Sequence, residues 1–180
     1  MATILLTGAS RGIGAAALVR LRAAGHTVIG QSTRGGDGLL AADFAHAGAA
    51  TQLWQAALAA AGGRIDVLVN NAGVFEAVDI DASDDEFEAM WARSLAVNLQ
   101  SAAELCRHAV RHFCGAGGGR IVLYAGDRFL CLETPAVRPR RLASICTVRQ
   151  FMPFLRGSVF HRNLIKTLFI FAKQSQNNAF

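Results

Sequence analysis

Five short apolar runs, each separated from the next by a helical pattern or a glycine-rich loop, constrain this chain more than any other feature. They are TILLT (3–7), HTVIGQ (26–31), GLLAADF (38–44), IDVLVNNAG (65–73), which runs on into a loop, and RIVLYA (120–125). Helical periodicity covers 12–25, closed by Gly25, then 51–62 and 83–114. Ser83 followed three residues on by Glu86 predicts a capping box, with acidic residues where the helix dipole favours them. Strands that are apolar throughout must be covered on both faces, which makes the sheet parallel and the fold class α/β, doubly wound. Right-handed crossovers then leave the strand order 3-2-1-4-5 over residues 1–126.

A chain of 180 residues, 52% hydrophobic and 17% charged, is long enough to bury one core and too apolar to stay disordered. MATILLTGAS has no basic n-region and reads as a strand, not a signal peptide. Cys106, Cys114, Cys131 and Cys146 show no C-x-x-C spacing and no accompanying histidine pattern, so neither a metal site nor a disulfide framework is indicated. The expected compartment is reducing and cytoplasmic.

The net charge of +5 does not imply a nucleic-acid partner, because it is concentrated at one end. Residues 1–126 hold 9 Lys+Arg against 11 Asp+Glu, and residues 127–180 hold 9 against 2. Of the 18 glycines, only Gly157 follows position 126. Two compositions are joined: 1–126, and a basic, aromatic tail at 127–180 that is not a separate domain.

TGASRGIG (Thr7–Gly14) follows the first strand and opens the first helix. Gly8, Gly12 and Gly14 permit a tight turn, a close backbone approach to a pyrophosphate and close packing of helix on strand, while the helix N-terminus offers unpaired N–H groups. The same glycines also suit a merely tight strand-to-helix turn.

With NNAG at Asn70–Gly73, AADF around Asp43 and LAVNL around Asn98, in that order and spacing, residues 1–126 resemble the short-chain dehydrogenase/reductase family. The resemblance implies a Rossmann-type fold and a dinucleotide at the carboxyl ends of the strands. The implied cofactor residues are Gly8, Ser10, Arg11, Gly12, Ile13 and Gly14 of the turn, Arg34, Asp43 and Phe44 toward the adenine side, and Asn70, Ala72 and Gly73 beside the adenine ribose and the sheet. It also makes Asn98 the asparagine that bends the long helix and holds a water in a proton relay. A helix-interior polar residue bonded to backbone is the alternative for Asn98.

Charge favours NADP(H) over NAD(H). The second strand ends GQSTR with no acid for the ribose hydroxyls, and Arg34 and Arg11 suit a 2′-phosphate. Against this, Asp37 in the same loop offers an acid, and both arginines also read as solvated surface residues.

The family's reaction, hydride exchange with a small alcohol or carbonyl substrate, needs a serine after the fifth strand and a Tyr-x-x-x-Lys on the following helix. In the family's register the serine falls on Gly126, the tyrosine near Arg140 and the lysine near Ser144, although Glu133, Thr134 and Pro135 still resemble one branch of the family. Tyr124, the chain's single tyrosine, lies four residues before Arg128, but in a strand that spacing does not bring the two together. Asn98 is thus the one catalytic remnant.

FMPFLRGSVFHRNLIKTLFIFA (151–172) is interrupted by Arg156, His161, Arg162 and Lys166, so it is no plain membrane span. It reads either as a basic amphipathic segment at a membrane surface or as a core-covering element. The family's sixth and seventh strands find no counterpart, so the expected sheet is C-terminally incomplete, its edge open to self-association. The expectation is an NAD(P)-dependent oxidoreductase by family, impaired in this chain. Its alternatives are a dinucleotide-binding pseudoenzyme and the product of a truncation, shifted reading frame or sequence junction.

Overall fold

A computed structural model describes residues 1–125 and 128–134, with side chains described through Tyr124. Gly126, Arg140, Ser144 and the segment 151–172, assigned positions or roles from sequence, lie outside the described residues.

The elements follow the chain as β1 (Thr3–Leu6), α1 (Gly12–Ala23), β2 (Thr27–Ser32), β3 (Leu39–Ala41), α2 (Ala49–Ala60), β4 (Val67–Asn70), α3 (Asp84–Leu95), a π-helical turn (Ala96–Gln100), α4 (Ser101–Ala116), β5 (Gly119–Ala125) and β6 (Arg128–Thr134). The sheet order is β3-β2-β1-β4-β5-β6. The first five strands are parallel in the expected order, with Leu5 opposite both Ile29 and Leu68.

Alternation along the central strands divides the core. Leu5, Leu68, Ile121 and Leu123 face α2 and α4, where they meet Leu53, Trp54, Ala57, Leu105, Ala109 and Phe113. Ile4, Leu6 and Val28 face α1 and pack with Ala17, Leu18 and Leu21. Burial of a side chain such as Leu53 or Phe113 stabilises by about 1.5–3 kcal/mol, so this double-sided core is the main favourable contribution. At its lower rim the Phe113 ring lies against Gly119 so closely that a Cβ there would overlap it.

Three differences from the sequence reading have physical causes. The third strand is three residues long instead of seven, because Asp43 turns the chain by accepting the Ala45 N–H at 3.0 Å. The long helix begins as expected, with Ser83 Oγ accepting the Glu86 N–H and the Glu86 carboxylate accepting the Ser83 N–H, but a π turn around Asn98 divides it. Finally, β6 was not expected. It pairs antiparallel with β5, from Gly119 opposite Thr134 to Ala125 opposite Arg128.

No described helix is long and apolar enough to cross a membrane.

Candidate functional site

The carboxyl ends of β1, β2 and β4 meet around the turn Thr7–Gly14, and buried polar side chains lock that meeting point. Thr7, 1% exposed, accepts the backbone N–H groups of Asn71 (3.0 Å) and Ala72 (2.9 Å) on its Oγ1. Asn71 answers by donating its side-chain amide to the carbonyls of Thr7 (3.0 Å) and Gly8 (3.2 Å). Gln31, 2% exposed at the end of β2, accepts the Gly8 N–H on Oε1 at 2.9 Å and donates Nε2 to the Ala42 carbonyl at 2.7 Å. The Gln31 carbonyl also accepts the Ala9 N–H at 2.8 Å. Backbone groups that would be orphaned where strands end are thereby satisfied without water, which fixes the turn.

Two glycines have conformational reasons to be there. Gly8 has φ +67° and a Cβ on it would lie 2.8 Å from the Ala72 Cα. Gly14 is buried in the first turn of α1, where a Cβ would overlap the Gly8 carbonyl oxygen. Gly12, with φ +56°, faces open space. Arg11 is the N-cap of α1 in extended geometry, makes no side-chain cap, and no acidic residue occupies the first turn. The initial N–H groups of α1 are therefore left without a side-chain cap at the positive end of a helix dipole, an arrangement that accepts an anion. A dinucleotide pyrophosphate fits this cradle: backbone donors, no competing carboxylate, and no side chain at Gly12 to keep the ligand away.

The other candidates divide by position. Ser10, Arg11 and Ile13 are exposed beside the cradle, and Arg34 is exposed on the loop after β2. Arg11 and Arg34 have no ion-pair partner among the described residues. Asp43 pairs with His46 (3.5 Å) at a hollow of about 220 Å³ that Thr33 and Gln52 also line. Phe44 is buried in the core beside α2. The Asn70 side chain points away from the crevice toward α4, donating to the Ala102 carbonyl and to Cys106 Sγ, both at 3.3 Å. Ala72 is held by Thr7, and Gly73 leads into the loop that Asn98 grips.

Asn98 sits within the π turn and exchanges two hydrogen bonds with the backbone of Val74, both 2.8 Å. The wider turn leaves the Val97 carbonyl to the Ser101 hydroxyl at 2.7 Å. Single π turns of this kind occur frequently at functional sites. Cys106 is not chemically poised, because burial pushes its thiol up to about 12. Among the described residues no group of three His, Cys, Asp or Glu can hold a metal ion.

Gln31, Thr7 and Asn71 do the most to shape the crevice, yet the sequence reading gave them no individual role. The available signal was a polar residue at the end of each fully apolar strand, where only a hydrogen-bonded group can be buried.

A family model described as short chain dehydrogenase matches residues 2–126. Short chain dehydrogenase ausX of Penicillium brasilianum is 35% identical over 129 residues, covering 66% of this chain and 49% of the relative. Among solved structures, a 3-oxoacyl (acyl-carrier-protein) reductase from Agrobacterium tumefaciens with NADP bound is 32% identical with a TM-score of 0.59, over 68% of this chain and 51% of that one. A 4-hydroxyisoleucine dehydrogenase complexed with NADH is 25% identical with a TM-score of 0.58, over 68% and 55%. The chain spans about half the length of the curated relatives it matches.

Proposed function

Since the chain belongs to the short-chain dehydrogenase family, we propose that residues 1–126 form the dinucleotide-binding portion of an oxidoreductase of alcohols or carbonyls, that NADP(H) is its preferred cofactor, and that this chain binds the cofactor with at most trace turnover. The carrying observation is the locked cradle: the Thr7, Gln31 and Asn71 side chains bond the Gly8, Asn71 and Ala72 N–H groups and the Thr7 and Gly8 carbonyls, while no side chain caps the α1 N-terminus. When bound, the nicotinamide supplies or accepts a hydride. The chain's own contribution is to hold the pyrophosphate at Gly12–Gly14 and to position the loop after β4.

The preference for NADP(H) rests on the charge around the end of β2. Ser32 and Thr33 stand where an acid would serve the ribose hydroxyls of NAD(H), and Arg34 and Arg11 are exposed cations without carboxylate partners among the described residues. Asp43 and the hollow beside it belong to the adenine end of the same reading.

Low turnover rests on the missing proton donor. Tyr124 lies in β5, between Leu123 and Ala125, and the chain's lysines are Lys166 and Lys173 alone. A positioned acid contributes about 10²–10⁴ in rate, and Asn98 has its side-chain amide committed to Val74. Assignment to the cytoplasm follows from the same family reading.

Calorimetric titration of NADPH and NADH tests the binding half of the proposal. NADPH should bind at least as tightly as NADH, with the order reversed by Arg34→Asp; the same affinities in the variant would remove Arg34 from the site. Nicotinamide absorbance over a panel of aldehydes, ketones and sugars tests the catalytic half. Robust turnover abolished by Tyr124→Phe would overturn it.

A further inference from the structure

Helix α3 is the one described helix that buries none of its residues. Its large apolar side chains nonetheless fall in register: Phe87, Trp91 and Leu95 recur every fourth residue, so they share one face, and they are 48%, 37% and 47% exposed. The rings of Phe87 and Trp91 already touch, with centroids 6.1 Å apart. The preceding loop adds Phe75 and Ile80, which are almost fully exposed. Exposed apolar side chains aligned on one helix face mark an interaction surface more often than scattered ones do. Its charge is one-sided: residues 76–95 carry seven carboxylates, three of them Asp84, Asp85 and Glu88, against the single cation Arg93, which is paired with Glu76 at 2.8 Å.

We propose that this apolar, acidic face of α3 is the docking surface for the basic, aromatic segment 151–172 of the same chain. The two compositions are complementary. Residues 135–180 hold eight Lys+Arg and no Asp or Glu, and 151–172 interleaves Phe151, Phe154, Phe160, Phe169 and Phe171 with Arg156, Arg162 and Lys166. Aromatic side chains cover Phe87 and Trp91, and the cations meet the carboxylates along the flank, where they are attracted at long range and suppress pairing with a basic surface.

The chain length permits it. The described residues end at Thr134, which pairs with Gly119, just beyond the end of α4. At 1.5 Å per residue, the stretch from that end of α4 back to Leu95 and Phe87 is about 30 to 45 Å. Residues 135–150 span up to about 50 Å when extended, so segment 151–172 reaches α3 without unpairing β6. An anionic lipid surface is the competing destination for the tail, but it leaves the α3 face uncovered and would be repelled by the carboxylates there.

Lys166 and Lys173 are the chain's only lysines, which makes the test specific. Full-length chain, mixed with an isotopically labelled copy, is treated with a water-soluble carbodiimide that joins amines to carboxylates, and the linked peptides are sequenced by mass spectrometry. Links from Lys166 or Lys173 to Asp84, Asp85 or Glu88 within one chain are expected, together with their loss in Arg156→Glu/Arg162→Glu. Trp91 emission, taken as the difference between the parent and Trp91→Phe, should shift to the red in that variant. It should shift likewise in Asp84→Asn/Asp85→Asn/Glu88→Gln, which spares the Ser83–Glu86 cap. Links only between labelled and unlabelled copies would replace the segment's own α3 by a second chain and overturn the proposal. So would links spread over Asp37, Asp43 and Asp66, an unmoved Trp91 emission, or loss of the α3 links on adding phosphatidylserine vesicles at constant ionic strength.

Discussion

Asn98 and Val74 bind each other twice, the Asn98 Nδ2 donating to the Val74 carbonyl and the Val74 N–H donating back to the Asn98 Oδ1, each at 2.8 Å. One side chain thereby mimics a strand partner for a stretch of loop that has none, and it does so from the single π turn in the long helix. Helix irregularity and loop position are therefore one feature.

Replacing Asn98 with alanine should release the loop after Gly73 and leave the rest of the sheet in place. The pair is solvent-exposed, so the loss in global stability should be modest, about 1 kcal/mol. Amide exchange at Val74 should accelerate far more than exchange at Val69 in β4. Equal acceleration at both would mean that Asn98 supports the whole sheet and not the loop alone.

Gly14 and Gly12 should behave differently when changed to alanine. A methyl at Gly14 overlaps the Gly8 carbonyl, and relief by backbone movement should cost about 1–3 kcal/mol of stability, the usual scale for overpacking. A methyl at Gly12 meets no atom and suffers only the positive φ, about 1–2 kcal/mol. Chemical denaturation should rank Gly14→Ala as the more destabilised, while dinucleotide titration should show both weakened. A Gly12→Ala protein that binds nucleotide like the parent would show that no ligand approaches there.

Gln31→Leu should be costly although it keeps the volume. It leaves the Gly8 N–H and the Ala42 carbonyl without their buried partner, about 1–3 kcal/mol for each group left unsatisfied. Thermal unfolding should show this loss, and Gln31→Glu should recover less than half of it, since a carboxylate accepts from Gly8 but cannot donate to Ala42. Equal stability of Gln31→Leu and the parent would mean water has taken the amide's place.

The acid limb of the stability profile should have two parts. The Thr3 backbone N–H, bonded to Asp66 at 2.9 Å, with Arg64 beside it, holds the Asp66 carboxyl below its ordinary value. Its contribution is present above the unfolded value of about 3.9 and is lost as pH falls through the lower folded value. Burial, then the charges of Arg107 and Arg111, lowers His108 below 6.5. The unfolded chain consequently binds more protons between that lowered value and 6.5, so stability falls across this window as pH drops. Denaturation midpoints for Asp66→Asn and His108→Gln should each flatten one part. A profile unchanged in both variants would contradict the assignment.

The five parallel strands and their order were legible because apolar runs bounded by helices leave few right-handed arrangements. The Ser83–Glu86 box was legible because capping is local chemistry. The division of the long helix at Asn98 was not, since one wider turn shifts the phase of the apolar pattern by about a single residue, too little to stand out in one sequence; only the resemblance to a family suggested a bend there. Gln31 was overlooked because its two partners, Gly8 and Ala42, are brought together by the sheet and not by the chain. For β6 a local sign existed: Gly126-Asp127 between two apolar runs is a hairpin dipeptide. The family register masks that sign, because it places a serine position on Gly126 and aligns Glu133, Thr134 and Pro135 with one branch of the family.

The β5–β6 hairpin has a consequence for the order of folding. Its partners are close in sequence, Ala125 with Arg128 and Leu123 with Leu130, and hairpins close in about 1–10 μs. The other side of β5 must find Val67 and Leu68 across more than fifty intervening residues, a slower search because the loop entropy is lost before any contact repays it. In an emerging or refolding chain, β5 therefore meets β4 already carrying β6, and the flank where a further parallel strand would add is occupied before the central sheet has formed.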